Sequence, residues 1–310
     1  MVKIAVIGVG GWGKNHARAL HELGALGAVC DIDPQRADLY SKLYSVPGYT
    51  DFEALLAEAR PDGVVVATPP ATHYELGLKL IERGIPLLLE KPMALTAKEA
   101  RQLATRAEQR GVTMLVGYIE RYNPAVAYVK QLIKEGRLGK LQALELHREN
   151  RRPPQARNVG IIIDTSVHDI DTARWLWGSE PRWVYCTQLS IMGEREDFAV
   201  INLRFQDGVA VLFSNWVTPT RKRYCVAIFT EGIVSFDFIT QEVRIEHQEA
   251  ATIPRNEFKD VLQAELSHFI ACIEGRERPL VGPWDGVAVN EIAEAAMLSS
   301  RFNTPVYLKG

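Results

Sequence analysis

The first 118 residues alternate short, mostly apolar runs with longer segments in which apolar positions recur at every third or fourth residue. Runs of about four to six apolar residues are typical of strands buried on both faces, and the three-to-four spacing is typical of helices with one buried face. The apolar runs occupy residues 3–7, 25–30, 63–67, 86–89 and 112–116. Strands that alternate with helices in this way predict right-handed crossovers and a doubly wound parallel sheet.

Two pairs of polar residues predict where helices of this half begin. Thr72 with Glu75, and Thr96 with Glu99, have the spacing of a capping box, in which each side chain binds the other residue's backbone N–H. The first box places His73 in the opening turn of its helix.

From residue 122 the pattern changes: a predicted helix over Ala125 to Glu135 leads to long stretches in which apolar and polar residues alternate. Such alternation is typical of antiparallel strands with one buried face. Asp207-Gly208 and Glu231-Gly232 interrupt two of these stretches and predict hairpins. A loop and a helix separate the first strand from the second. Two amphipathic helices, near residues 258–273 and 285–300, close the chain.

These patterns predict two domains. Residues 1–121 are expected to form an α/β domain on the doubly wound parallel sheet, and residues 122–310 an α+β domain on a mostly antiparallel, open sheet. A length of 310 residues is sufficient for two such cores.

Composition and charge exclude several classes of partner. The chain is 47% hydrophobic and 24% charged, with 36 basic and 38 acidic residues and a net charge of -2. This balance provides no field that would attract nucleic acid or an anionic membrane. The apolar runs are too short to span a bilayer, and the first strand leaves no room for a signal peptide, so we expect a cytoplasmic protein. The four cysteines are scattered and predict reduced thiols rather than a metal site or a dithiol.

The turn after the first strand has the spacing G-x-G-x-x-G at Gly8, Gly10 and Gly13. In the Rossmann fold the first glycine permits the turn, the second lets the backbone approach a pyrophosphate, and the third lets the helix pack on the strand. The N–H groups at the start of the following helix then bind the diphosphate. Asp31 ends the second apolar run at the distance expected of the carboxylate that binds a ribose 2′-hydroxyl, so NAD is favoured over NADP. Arg36 in the next helix weakens that preference.

Lys91 follows a predicted parallel strand, at the edge of the sheet where ligands bind in open α/β folds. Its ammonium could stabilise a developing alkoxide or donate to a carbonyl oxygen. The alternative is a surface lysine paired with Glu90.

Asp164 and His168 stand four residues apart, which puts both on one face of a helix. A carboxylate that orients an imidazole suits a general base for a hydroxyl proton. The alternatives are a capping aspartate with an interface histidine, or metal ligation that includes Asp169 and Asp171; no metal is expected.

Three further features have alternative interpretations. His73 lies near a strand end and either contacts a cofactor or donates to backbone. Trp12 either shields a cofactor or fills a cleft. Four arginines in the predicted loop before Asp164 are either a solvated edge or donors to a phosphorylated substrate. They are Arg148, Arg151, Arg152 and Arg157.

In order along nearly the whole chain, the segments GVGGWG with Asp31, ATPPATHYE, EKPMALT, GYIERYNPA and IIDTSVHDIDTARWLWG resemble the Gfo/Idh/MocA family of sugar oxidoreductases. ERYNP together with PPQARNVGIIIDTSVHDID is similar to the branch that acts on UDP-N-acetylglucosamine at C3. One departure is Thr165-Ser166, where many members carry a glycine.

The resemblance implies a two-domain enzyme whose open sheet forms a dimer or tetramer interface. It implies Lys91, Asp164 and His168 as the catalytic set. The implied cofactor-binding residues are Gly8, Gly10, Gly11, Trp12, Gly13, Asp31, Thr68, Pro69, His73, Glu90 and Lys91, and the implied substrate-binding residues are Arg121, Asn123, Arg151 and Arg157.

The function expected is hydride transfer between a sugar hydroxyl carbon and NAD, on a nucleotide-activated sugar. Two alternatives remain open at this stage. One is a dehydrogenase of a free polyol, an inositol or a keto sugar, and the other is a regulator that senses NAD or a sugar without catalysis.

Overall fold

The computed structural model of the protein describes residues 2–152, 159–248 and 250–308. The chain divides into two compact units. The first consists of Met1–Ile119 and Asp260–Asn290, and the second of Glu120–Lys259 and Glu291–Gly310. This division differs from the expected domains 1–121 and 122–310, because a segment near the C-terminus belongs to the first unit. Its apolar residues Leu262, Leu266 and Phe269 join the core of that unit.

The first unit is built on a six-stranded sheet in which every pair of neighbours is parallel. Its strands are β1 (Ile4–Ile7), β2 (Leu26–Cys30), β3 (Gly48–Tyr49), β4 (Gly63–Val66), β5 (Leu87–Leu89) and β6 (Met114–Val116). The order across the sheet is β3-β2-β1-β4-β5-β6. This is the order of the dinucleotide-binding doubly wound fold, and it confirms the predicted parallel sheet.

The crossovers of this sheet are helical. The helices that precede residue 119 are α1 (Gly13–Glu22), α2 (Pro34–Tyr44), α3 (Phe52–Ala59), α4 (His73–Glu82) and α5 (Ala97–Arg110). The capping box of Thr96 and Glu99 is present at the start of α5. The one predicted at Thr72 is wrong: a 3₁₀ turn over Pro70–Thr72 leads into α4, and the Thr72 hydroxyl donates to Thr68 Oγ1 and Pro69 O instead of accepting from the helix.

The second unit is built on a nine-stranded sheet. Its strands are β7 (Leu141–Arg151), β8 (Trp183–Leu189), β9 (Phe198–Arg204), β10 (Val209–Asn215), β11 (Val217–Phe229), β12 (Ile233–Asp237), β13 (Val243–Glu246), β14 (Ala251–Thr252) and β15 (Val306–Tyr307). The order is β14-β13-β12-β11-β7-β10-β9-β8-β15, and only β7 and β10 pair in parallel. Both predicted hairpins form, between β9 and β10 and between β11 and β12.

Helices complete both units. They are α6 (Pro124–Glu135), α7 (Val167–Trp177), α8 (Val261–Ile273) and α9 (Pro283–Phe302). On one face of the second sheet Leu146, Leu212 and Cys225 are fully buried. On the other face His147 stacks on Tyr224 with ring centroids 4.5 Å apart, and the residues there are only partly buried. The alternation that predicted these strands therefore separates a covered face from a half-exposed one.

The four cysteines are unpaired and buried, as the sequence predicted. Burial raises the pKa of the Cys30 and Cys272 thiols to about 11 and that of Cys186 to about 12, which makes them poor nucleophiles. Among residues 2–152, 159–248 and 250–308, no helix is both long enough and apolar enough to cross a membrane.

Candidate active site

The glycine turn between β1 and α1 has the steric properties that its motif requires. Gly8 has φ +84°, and a Cβ there would lie 2.8 Å from Ala67 O. A Cβ on Gly13 would lie 1.7 Å from Gly8 O, so α1 packs on the turn only if residue 13 is glycine. A Cβ on Gly10 would meet nothing closer than Arg36 Nη1 at 3.4 Å. The side of the turn at Gly10 is therefore open to a ligand, while the other two glycines are required by the protein's own packing.

Asp31 lies beside this turn at the end of β2 and is almost fully buried. Its Oδ2 accepts a hydrogen bond of 3.0 Å from the Val9 N–H, and its Oδ1 accepts one of 3.0 Å from the Asp33 N–H. Arg36 Nη2 is 3.0 Å from Oδ1. The carboxylate thus fixes the glycine turn to the end of β2, and the arginine considered from the sequence does contact it.

Glu90 and Lys91 follow β5 at the carboxyl edge of the first sheet. Glu90 Oε1 is 2.7 Å from His16 Nε2 on α1, and Glu90 Oε2 accepts a hydrogen bond of 3.0 Å from the Lys91 N–H. Burial acts to raise the pKa of Glu90, but the hydrogen bond and charge of His16, with the charge of Lys91, hold it below its usual value. Glu90 is therefore an ionised group that anchors the backbone of Lys91. The Lys91 side chain is partly exposed.

His73 is buried at the start of α4. Its Nδ1 is 2.8 Å from Pro92 O and its Nε2 is 2.9 Å from Thr68 O. Burial lowers the pKa of His73 although both carbonyl contacts favour the cation. The imidazole thus joins the loop after β4 to the segment that carries Lys91, and neither ring nitrogen remains for a ligand.

The other predicted cofactor residues lie in the glycine turn and in the loop after β4. Gly11 has open space where a Cβ would be, and Trp12 is 47% exposed with its ring edge against His16. Thr68 and Pro69 follow β4, where the Thr72 hydroxyl donates to both. The structure thus places Thr68 and Pro69 next to the His73 bridge, and Gly11 and Trp12 in the glycine turn.

Asp164 and His168 lie in the second unit, where the chain enters α7 through a π-helical turn over Ile162–Ser166. From residue 160 to residue 174 every side chain is buried except those of Asp164 and His168, which are partly exposed. Turns of this kind occur often at functional sites because they change the direction in which side chains point. The turn is a feature that the helical spacing alone did not predict.

Hydroxyl groups hold this turn against the second sheet. The Thr165 hydroxyl donates to Asp164 Oδ2 at 3.2 Å and accepts from Trp216 Nε1 at 3.1 Å. The Ser166 hydroxyl bonds to that of Ser214 on β10 at 2.9 Å. The departure from the family pattern at Thr165-Ser166 thus has a structural role, because glycine could make neither bond.

Two predicted substrate-binding residues are engaged inside the second unit. Arg121 is buried, stacks on Trp175, and binds Asp171 through Nε at 2.9 Å and Nη2 at 2.6 Å. Asn123 is fully buried, caps α6 through the Ala125 N–H, and donates to Phe238 O. These contacts fix the entry to α6.

The arginines before Asp164 have different environments. Arg148 lies inside β7 rather than in a loop: it is buried, binds Asp169 at 2.9 Å, and binds Glu120 at 3.1 Å. It is therefore neither a solvated edge nor a free donor. Arg151 is exposed at the end of β7, and Arg152 is partly buried with its guanidinium over Trp216. Arg157 lies outside the described residues.

Three titratable residues of these units were not found from the sequence. His16 contacts Glu90 from 74 residues away along the chain. Glu265 on α8 is buried near Glu90, whose charge acts on it, and Arg223 lies on β11 near Arg148. Only His16 had a signal, a polar residue on the buried face of α1. Among the described residues, no group of three or more His, Cys, Asp and Glu side chains has a geometry that could hold a metal ion.

Comparison with protein families matches both halves of the chain. Residues 2–118 match the sequence model of the Gfo/Idh/MocA oxidoreductase family, described as an NAD-binding Rossmann fold. Residues 126–235 match the Gfo/Idh/MocA C-terminal domain. Together these matches span more than half of the chain.

Two relatives with different substrates have the same sequence identity to this chain. The UDP-N-acetylglucosamine 3-dehydrogenase of Acidithiobacillus ferrooxidans is 29% identical over 307 residues, covering 96% of this chain and 95% of that protein. Its solved structure has a TM-score of 0.89 at 26% identity, covering 97% and 98% of the two chains. The NAD⁺-dependent scyllo-inositol 2-dehydrogenase of Bacillus subtilis is 29% identical over 334 residues, covering 99% and 96%. These likenesses leave the substrate class open.

Proposed function

The chain belongs to the Gfo/Idh/MocA family of NAD-binding oxidoreductases, and on that premise we propose that it oxidises a hydroxyl group of a nucleotide-activated sugar. A UDP-linked N-acetylhexosamine is the proposed substrate, and NAD is the cofactor. The observation that carries the proposed reaction is the pair Asp164 and His168, which are the only partly exposed side chains in a segment of fifteen residues, 160 to 174, that is otherwise buried.

The residues around the glycine turn fit NAD. The open side at Gly10 admits a diphosphate, and no side chain caps the N-terminus of α1, where the helix dipole favours phosphate oxygens. Asp31 at the end of β2 would accept from an adenosine ribose hydroxyl. When bound, NAD supplies the acceptor for the hydride that leaves the sugar carbon.

In this proposal, side chains of the protein remove the proton from the sugar hydroxyl and stabilise the resulting charge. Asp164 orients His168, which takes the proton from the sugar hydroxyl. The Lys91 ammonium donates to the same oxygen and stabilises the charge that develops there. Glu90 accepts a hydrogen bond from the Lys91 N–H, and His73 contacts the carbonyl of Pro92, so the backbone on both sides of the Lys91 side chain is fixed.

Arg151 and Arg157 are the proposed donors to the diphosphate of the substrate. Arg121 and Asn123 are proposed to shape the substrate site through their buried contacts rather than to touch the substrate. A free polyol is the second candidate substrate. It is favoured by the engagement of Arg121 and Arg148 with carboxylates, which leaves fewer cations for a phosphate, and by the inositol dehydrogenase among the relatives.

We further propose that the half-exposed face of the second sheet joins protomers into a dimer or tetramer. Val200, Val211, Phe213 and Tyr224 contribute apolar surface to that face and are only partly buried in the single chain. A patch of this kind is typical of a protein–protein interface. The four unpaired cysteines support a cytoplasmic location, where thiols stay reduced.

The test is reduction of NAD, followed by absorbance, with UDP-N-acetylglucosamine and with a panel of free sugars and inositols. Lys91→Met is expected to lower kcat by about 10²-fold or more, the usual contribution of one acid–base group, with NAD affinity nearly unchanged. Lys98→Met, which removes an exposed lysine from the start of α5, is the matched control and is expected to behave as the wild type.

Each outcome decides between the candidates. Turnover confined to the nucleotide sugar supports the proposal. Turnover only with free polyols replaces the substrate class, and an unchanged kcat in Lys91→Met refutes the role of that lysine.

A further inference from the structure

Arg223 lies on β11 directly opposite Arg148 of β7 in the antiparallel register. Opposed residues of an antiparallel pair point to the same face of the sheet. That face is the covered one, because Arg148 contacts Asp169 of α7 and Cys225, two residues along β11, is fully buried. Two guanidinium groups are therefore adjacent on the buried side of the second sheet.

Among the described residues, only Arg148 of the two arginines has side-chain partners. Glu120 and Asp169 both bind Arg148. In the described part of the chain, Arg223 has no side-chain hydrogen bond and no ion pair, and its Nε is buried without an acceptor. Like charges directly opposite each other destabilise a sheet, and a donor buried without a partner adds a further cost.

Arg223 lies among charges of both signs. The charges that act on it include the cations Arg148 and Arg221 and the carboxylates of Glu120 and Asp169. Both of these carboxylates bind Arg148. Burial and the two neighbouring guanidinium groups lower the pKa of Arg223 to about 9. Burial also raises the pKa of Asp169, which makes the compensation by that carboxyl weaker still.

Arg223, Arg148 and Ser214 lie side by side on three neighbouring strands, and Ser214 contacts the turn that carries Asp164. Ser214 of β10 pairs with Arg148 on the side opposite to Arg223. The Ser214 hydroxyl bonds to that of Ser166, inside the π-helical turn. Neighbouring strands are about 4.8 Å apart, so Arg223 lies roughly 10 Å across the sheet from the strand that supports the proposed general base.

We propose that Arg223 binds an oxyanion of the substrate, a phosphate or a carboxylate, on the covered face of the second sheet. This assignment rests on the proposed function, because it gives that substrate a charged group. Arg148 is held by its two carboxylates and supports the strand, while Arg223 supplies the donors that remain. A planar guanidinium binds two oxygens of such a group at once, and each charge-assisted bond is stronger than a neutral one.

The experiment measures binding by titration calorimetry, with the full chain saturated with NAD so that the dinucleotide site is closed to the titrant. The titrants are UDP, glucuronate and myo-inositol. For the wild type we expect binding of an anion that weakens with added salt. Arg223→Gln is expected to weaken that binding by about tenfold or more, and Arg223→Lys by less, since lysine keeps the charge but not the planar fork.

Arg244→Gln is the matched control. Arg244 lies on β13 of the same sheet and is already paired with Glu246 at 3.0 Å, so its loss removes the same charge from an exposed site. We expect anion affinity within about twofold of the wild type, as for an exposed ion pair. Melting temperature and NAD affinity verify that each variant is folded.

The titrants distinguish a phosphate from a carboxylate as the bound group, and they separate the anion site from the proposed reaction. Loss confined to UDP identifies a phosphate, and loss confined to glucuronate identifies a carboxylate. Equal affinity of folded Arg223→Gln and wild type overturns the assignment, as does a wild type that binds neither anion yet oxidises neutral polyols. Arg223-dependent binding of UDP without turnover of any sugar keeps the anion site and refutes the proposed reaction.

Discussion

Glu265 is a buried carboxyl group of the first unit that lies near Glu90. It lies on α8, is 1% exposed, and neither of its oxygens has a hydrogen-bond partner among the described residues. Burial, with a smaller contribution from the negative charge of Glu90, raises the pKa of Glu265 well above its usual value. The two carboxyls therefore differ in acidity: His16 helps to hold the pKa of Glu90 below its usual value, whereas burial raises that of Glu265.

This difference predicts a dependence of stability on pH. Because the pKa of Glu265 is higher in the folded chain than in the unfolded one, the folded state holds more protons once the pH exceeds the ordinary pKa of glutamic acid. The contribution of Glu265 to stability is then complete below that ordinary value and decreases as the pH rises toward the raised one. Glu265→Gln removes this term, so its stability relative to the wild type is expected to increase with pH.

Urea unfolding at a series of pH values from about 4 to 9 measures the free energy of unfolding of both proteins. The prediction concerns how the difference between the two free energies changes with pH, not the size of that difference at any one pH. Glu108→Gln, at an exposed position on α5, is the control for the removal of a surface carboxyl group. Parallel curves for Glu265→Gln and the wild type would mean that Glu265 is ionised in the folded protein.

At the scale of elements, the π-helical turn before α7 depends on side-chain hydroxyls. Thr165 links the Trp216 indole N–H to the Asp164 carboxylate. Thr165→Val keeps the shape but leaves the buried indole N–H without an acceptor, which costs about 1–3 kcal/mol of stability. It also removes one of the bonds that orient Asp164, so we expect kcat to fall more than KM changes. Thr165→Ser retains the hydroxyl and is expected to restore both quantities. Chemical unfolding and steady-state kinetics of the two variants make the comparison, and a Thr165→Val protein with wild-type stability would contradict it.

The two threonine caps show why element boundaries depend on more than local pattern. Thr96 makes its predicted box because its hydroxyl has the Glu99 N–H within reach. Thr72 has the same motif, but its hydroxyl donates to Thr68 Oγ1 and Pro69 O instead. A 3₁₀ turn over Pro70–Thr72 also precedes the helix. The competing partners belong to the loop after β4, whose conformation is decided by the sheet.

At the scale of the whole molecule, the half-exposed face of the second sheet predicts the assembly state. Val211 is at the middle of β10 on that face, beside Glu145 of β7 in the register. Val211→Lys places a cation in the proposed interface, while Glu145 gives it a cross-strand partner within the single chain. We expect the wild type to elute as a dimer or tetramer and the variant as a protomer of 34.7 kDa.

Size-exclusion chromatography with light scattering measures both masses. Gln109→Lys, on the exposed side of α5, adds the same charge elsewhere and is expected to leave the mass of the assembly unchanged. A wild type that elutes as a protomer would refute the proposed interface.

The sequence by itself determined what depends on short-range rules. The apolar runs predicted the strands of the parallel sheet, alternation predicted the second sheet, and the glycine spacing predicted a turn whose sterics the structure reproduces at Gly8 and Gly13. Asp164 and His168 were found because they are four residues apart on one helical segment. Periodicity, capping and turn chemistry act over a few residues, so they can be recognised along the chain.

Only the tertiary structure decided which charges are satisfied and which are not. Arg148 was expected in a loop but is buried between carboxylates 21 and 28 residues away, and Arg121 meets its carboxylate 50 residues on. The segment from Asp260 to Asn290 belongs to the first unit because α8 completes an apolar core whose other residues lie some 240 residues earlier in the chain. Gln263 of this segment also donates a hydrogen bond to Glu22, 241 residues away. An ion pair or a core contact depends on distance in space, and nothing in local sequence encodes which of two neighbouring arginines receives the carboxylates.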